Sequence, residues 1–234
     1  MLLIYICVIF LLSLFASANV EKTIFIAPSA RSTDLNLDEL GLERLTPASG
    51  MLRTRLNASF PTTAETLGTD SWYFLENLNP GQRYEVRICW LATQPTAFTL
   101  STYTIPEILE DRALLDALNS YSSATVTPNS QGGVPAGADT ALEPDSVLLL
   151  RISAAADYFS LDQGLMENVP PVLADIILDP FLGNVFPKSL IPTAAWISVV
   201  SCVAVVLARW IATEFASVVS SAGVHEQADG KKVQ

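Results

Sequence analysis

Histidine and cysteine are scarce in this 234-residue chain, which holds one of the first and three of the second. The single histidine, His225, stands near the end. Ser-His-Asp and Cys-His catalysis and histidine metal sites therefore lack their key residue in the long stretch before it. Cys7 and Cys202 fall in apolar runs, which leaves Cys89 alone between them. No disulfide can form within that stretch, so its core must hold it together. Cys89 reads as a small buried hydrophobe rather than a reactive thiol. Basic residues are also few: 13 Lys and Arg against 24 Asp and Glu, a net charge of -11. No basic stripe exists to neutralise phosphates, which excludes general nucleic-acid binding. A glycine-rich phosphate loop is missing, and no spacing marks a carboxylate pair for glycoside hydrolysis. No catalytic residue, cofactor or metal is expected.

Charged residues make up only 16% of the chain, below the quarter usual in soluble domains. Two apolar blocks account for the deficit. Residues 1–18, MLLIYICVIFLLSLFASA, end in the small-x-small pattern of a signal-peptidase site and read as a cleaved signal peptide. Residues 189–212, SLIPTAAWISVVSCVAVVLARWIA, are long enough to cross a hydrocarbon core of about 30 Å. Trp196 and Trp210 lie towards its ends, where indole rings favour the interface, and Arg209 can snorkel. The expected arrangement is a single-pass type I membrane protein. Residues 19–168 would be a lumenal domain and residues 213–234 a cytosolic tail. Lys231 and Lys232 are the fourth-last and third-last residues, the dilysine spacing by which coat proteins return membrane proteins to the endoplasmic reticulum.

Between the two blocks the pattern is mainly β. Residues 23–27, 52–60, 72–75, 83–91, 97–104 and 146–153 alternate or are rich in β-formers, and Gly, Pro and Asn separate them. In 83–91, Tyr84, Val86 and Ile88 share one face, and Glu85 and Arg87 the other. An antiparallel β-sandwich is the expected fold. One added helix is expected at 105–121, where the period changes and Pro106 stands at the start. Residues 122–145, rich in Ser, Gly, Pro and Thr, read as a flexible insertion. Residues 169–188 read as an apolar juxtamembrane segment broken by prolines. It would lie in the headgroup layer, on a membrane partner or beneath the domain. Asp175 and Asp179 there are helix-spaced, with a metal site the less favoured reading.

Some local motifs are sharper. Leu78-Asn79-Pro80-Gly81-Gln82-Arg83-Tyr84 resembles the E–F corner of fibronectin type III domains, with Leu78, Pro80, Gly81 and Tyr84 in the corner's positions. That resemblance implies a buried Tyr84 whose hydroxyl bonds back to the upstream backbone. The tryptophan such domains carry on an early strand is not evident. Asn57-Ala58-Ser59 is an N-glycosylation sequon. Arg83, Glu85, Arg87 and Trp90 mix charge and aromaticity, and form a possible partner surface.

The run from Gly81 to Trp90, followed by Ala92-Thr93-Gln94-Pro95-Thr96, is similar to the fungal co-activators of GPI mannosyltransferase II (the Pga family). The resemblance implies a non-catalytic accessory subunit in the endoplasmic reticulum. Its partner would be the polytopic mannosyltransferase that adds the second mannose to the GPI-anchor precursor. The competing expectation is a type I cargo receptor or adaptor cycling between endoplasmic reticulum and Golgi.

Overall fold

In the computed structural model, residues 19–29, 40–63, 65–125 and 146–229 are described, the last helix with side chains to Ala216. The signal-peptide segment 1–18, residues 126–145 of the expected insertion, and Lys231 and Lys232 lie outside the described residues. The chain divides into two units, Met1–Pro187 and Lys188–Gln234.

The first unit is mainly β. Strands β1 (Val20–Ile26), β3 (Met51–Leu56), β5 (Arg83–Trp90) and β8 (Val172–Leu182) form sheet A in the order β1-β5-β8-β3, and the short β9 (Phe186–Pro187) pairs with β8. Strands β2 (Glu43–Leu45), β4 (Thr69–Leu78), β6 (Thr96–Tyr103) and β7 (Ser146–Ala156) form sheet B in the order β2-β4-β7-β6. Strand pairing is antiparallel except for β2 beside β4. Alternation decides which residues face inward. Tyr84, Val86 and Ile88 of β5 and Ala174, Ile176 and Leu178 of β8 share one hydrophobic core with Tyr73, Leu75, Leu150 and Ile152 of sheet B.

A second core lies on the opposite side of sheet B. Trp72, Phe74 and Leu149 pack there against helix α1 (Ile105–Glu110) and helix α2 (Arg112–Thr125) through Ile105, Ile108 and Leu118. The single helix expected at 105–121 is thus two. Thr104 and Glu107 form a capping box that starts α1. Asp111 leaves helical geometry, and its Oδ1 accepts from the N–H groups of Ala113 and Leu114, 2.9 and 3.4 Å away. A residue that satisfies the next helix's free donors also ends the one before it.

The largest correction concerns residues 169–188. They are not a segment apart from the domain: 172–182 is an interior strand of sheet A, flanked by β5 and β3. Pro180 fits there because of register. The Leu178 N–H donates to the Gly50 carbonyl at 2.7 Å, so even-numbered residues of β8 direct their backbone groups towards the β3 side. The last β3 residue in register is Met51, opposite Ile177. Three residues further along β8, at Pro180, the missing proline donor faces no residue of β3. Asp175 and Asp179 are consequently strand-spaced, not helix-spaced.

A short helix α3 (Gln163–Glu167) lies between β7 and β8, and the second unit holds helix α4 (Ile191–Asp229), preceded by a 3-10 turn at Lys188–Leu190. Within residues 188–216 an 18-residue window reaches a mean hydropathy of 2.3, and the segment is long and apolar enough to cross a membrane. The helix continues past the expected boundary at 212, so residues 213–229 of the expected tail are helical.

Candidate functional site

The Leu78–Tyr84 corner is built from a turn whose chemistry the sequence dictates. Pro80 fits the second turn position by its fixed φ, and Gly81 at φ 75° takes the third. The Gln82 N–H closes the turn on the Asn79 carbonyl at 3.1 Å. Tyr84 is fully buried, and its ring stacks on Phe25 with centroids 5.8 Å apart. Its hydroxyl accepts from the Asn79 N–H at 2.9 Å and donates to Gln82 Oε1 at 3.0 Å. Leu78 is buried below the turn.

Two residues overlooked in the sequence tie this corner to the end of β8. Asn184 sits at φ 60° after Gly183 at φ 59°, in a two-residue turn with left-handed backbone at both positions. Its Oδ1 accepts from the Arg83 N–H at 2.8 Å, and its Nδ2 donates to the Gly81 carbonyl at 3.0 Å. Gln82 Nε2 also donates to the Phe181 carbonyl at 3.0 Å. The Gly183-Asn184 dipeptide is a recognisable turn signal; its hydrogen-bond partners, a hundred residues upstream, are not. Gln94 acts similarly at the start of β8. It donates to the Pro171 carbonyl and accepts from the Leu173 N–H. The loop between β5 and β6 therefore holds the start of β8.

The four residues of the possible partner surface separate. Arg83, Glu85 and Arg87 stand on the outward face of sheet A. Trp90, an even-numbered residue of the same strand, turns to the core side and meets the Phe98 ring edge-on at 4.7 Å. Period-two alternation explains the split. The outward face also carries Lys22, Arg53, Arg55, Asp175 and Asp179. Its five cationic side chains against three anionic ones leave +2, in a chain whose net charge is -11.

Glu85 and Asp179 are direct cross-strand partners, and both are buried, 4% and 5% exposed. Two like charges side by side are unfavourable unless cations cover them. Lys22 reaches Glu85 at 3.2 Å and Arg87 at 3.7 Å. Arg53 grips Asp175 with two hydrogen bonds of 2.7 and 2.8 Å, which hold that carboxyl below its ordinary value. Around these charges Val20, Ile24, Ile26, Met51 and Leu173 are 37 to 59% exposed.

Asn57 lies beyond β3, not within a strand as expected for 52–60; only Met51–Leu56 pair with β8. Its side chain is exposed between buried Leu56 and Ala58. Two clefts meet at this residue, of about 550 and 300 Å³. Both are lined by Asn57, Ser71, Tyr121 and Thr125. The larger adds Asp70 and Arg151, ion-paired at 2.6 Å, and the smaller adds Glu43 and Tyr73. Burial raises the Tyr73 phenol well above its ordinary value, so it stays neutral and able to donate. Burial pushes Tyr121 the same way.

Among the described residues, no three His, Cys, Asp or Glu side chains converge on a metal-sized site. Compared with protein families, with curated proteins and with solved structures, the chain matches none.

Proposed function

We propose that this chain is a non-catalytic accessory subunit, anchored by α4 as a single-pass type I protein of the endoplasmic reticulum. The observation that carries the reading is the outward face of sheet A. It combines exposed aliphatic side chains with a net positive charge in an otherwise acidic chain. Exposed apolar groups rimmed by charge are the composition of a protein contact. The partner is the polytopic mannosyltransferase of GPI-anchor biosynthesis, by the likeness of residues 81–96 to its co-activators. The two sheets form a sandwich with a fibronectin type III-like corner, a reading supported by their common core and the Tyr84 hydrogen bonds. Residues 19–187 are lumenal. Lys231 and Lys232 return any unassembled copy through coat proteins.

The experiment is purification of the tagged full chain in mild detergent, beside Ile26→Asp and Arg55→Glu variants, whose cross-strand partners are Arg83 and Leu173. The intact chain should bring down the mannosyltransferase in near-equal amount, and the variants should lose it while keeping their thermal midpoints. Depletion should accumulate a GPI precursor bearing one mannose. Recovery of coat and cargo proteins alone would favour the cargo-receptor alternative and sink the subunit reading.

A further inference from the structure

The Asn57 sequon sits at the junction of two clefts, and its neighbours restrict where its side chain can go. Leu56 is 1% exposed and Ala58 is 9% exposed, so alternation turns Asn57 outward between two anchored residues. Ser59, the third sequon position, is pinned to β7. Its carbonyl accepts from the Ala156 N–H at 3.0 Å, and it bridges to Ala155. A group on the Asn57 amide would leave from a fixed point, at the mouth of both clefts.

The lining suits a sugar. Volumes of about 550 and 300 Å³ lie within the range of roughly 300–1,000 Å³ that takes small ligands. Tyr121 lines both clefts and offers a ring for the apolar face of a pyranose. Ser71, Asp70, Arg151 and Glu43 offer donors and acceptors for hydroxyl and acetamido groups at its edges. A free sugar would lose orientational freedom on entering. One tethered at the mouth has lost most of that already, so modest contacts suffice.

We infer that Asn57 carries an N-linked glycan whose first N-acetylglucosamine residues lie in the cleft between the end of β3, the start of β4 and α2. The glycan then acts as packing between the two sheets and the helices, beyond being a solubilising surface group. This inference rests on the lumenal placement proposed above.

The test uses the full chain made in glycosylation-competent membranes, with Asn57→Gln and Tyr121→Ala variants. The wild type should run slower than Asn57→Gln, and peptide-N-glycosidase should abolish the difference after denaturation. On the native protein the same enzyme should release the glycan several-fold more slowly. The glycosylated chain should melt about 2–4 °C above Asn57→Gln. An endoglycosidase that leaves one N-acetylglucosamine should preserve most of that gain. In a Tyr121→Ala background both the slow release and the melting difference should vanish, which separates sugar contact from the variant's own destabilisation. Equal melting points and equally fast native release would overturn the packing role, with the lumenal reading intact. No mobility difference at all would overturn the inference, and digestion of residues 19–187 by protease added to sealed membranes would overturn the lumenal reading beneath it.

Discussion

Replacing Tyr84 by Phe removes one oxygen atom and leaves a fully buried ring stacked on Phe25. The variant should retain the core contacts and lose two hydrogen bonds, one from the Asn79 N–H and one to Gln82. A single intramolecular hydrogen bond contributes about 0.5–1.5 kcal/mol net, and a stranded buried donor costs about 1–3 kcal/mol. Asn79 lies in an exposed turn, so water can reach part of the vacated site. The expected loss is therefore about 1–2 kcal/mol, which for a domain of this size lowers the midpoint by roughly 2–8 °C. Thermal unfolding of the detergent-solubilised full chain, followed by near-ultraviolet circular dichroism, measures it. Tyr84→Ala sets the scale, since deleting a buried aromatic ring costs about 3–5 kcal/mol. If Tyr84→Phe shifts the midpoint by less than about 1 °C, the hydroxyl is not what fixes the corner. The ring alone would then account for Tyr84.

Two glycines with nearly the same backbone should respond differently to alanine. At Gly81, φ is 75° and a new Cβ meets nothing within 4 Å, so only the left-handed strain of about 1–2 kcal/mol is expected. At Gly68, φ is 78° and the Cβ would lie 2.1 Å from the Ala154 carbonyl oxygen, so Gly68→Ala should cost more than about 3 kcal/mol or prevent folding. Equal urea midpoints for the two variants would contradict the close approach of the 65–69 loop to β7. Acid should weaken the domain through Asp175 and Glu107, both held below their ordinary values, Asp175 mainly by its hydrogen bond from Arg53 and Glu107 mainly by the Thr104 N–H. A lowered carboxylate contributes fully above its unfolded value and loses that contribution as pH falls through the folded one. The loss should therefore begin below about pH 4, and Arg53→Ala should abolish the Asp175 share. An unchanged acid slope of the urea midpoint in Arg53→Ala would refute it.

Local chemistry was legible in the sequence wherever near neighbours decide it. Alternation in 83–90 separated Tyr84, Val86 and Ile88 from Glu85 and Arg87, and the structure places them on opposite faces of β5. The apolar run before Arg209 marked a helix able to span a membrane. Strand β8 was not legible. Its sequence, VLADIILDPFL, carries two aspartates and a proline. Its tolerance of Asp175 and Pro180 depends on Arg53 across the sheet and on β3 ending early, neither of which lies nearby in sequence. The cleft was hidden for the same reason, since Asn57, Tyr121 and Arg151 meet only after both sheets and α2 have assembled.

The interior position of β8 also dictates an order of events during synthesis. Strand β3 emerges early, yet its sheet partner, β8, is the last long strand made. Until residue 182 is available, sheet A is split into a β1–β5 pair and an unattached β3. Pairing across more than a hundred residues is slow, because a long loop must close before any contact rewards it. The domain thus becomes complete only as the apolar helix that follows is being made. A chain cut at residue 168, where the sequence suggested that the domain stops, would lack the middle of a sheet and expose two aggregation-prone edges. Any soluble version has to run to at least Pro187.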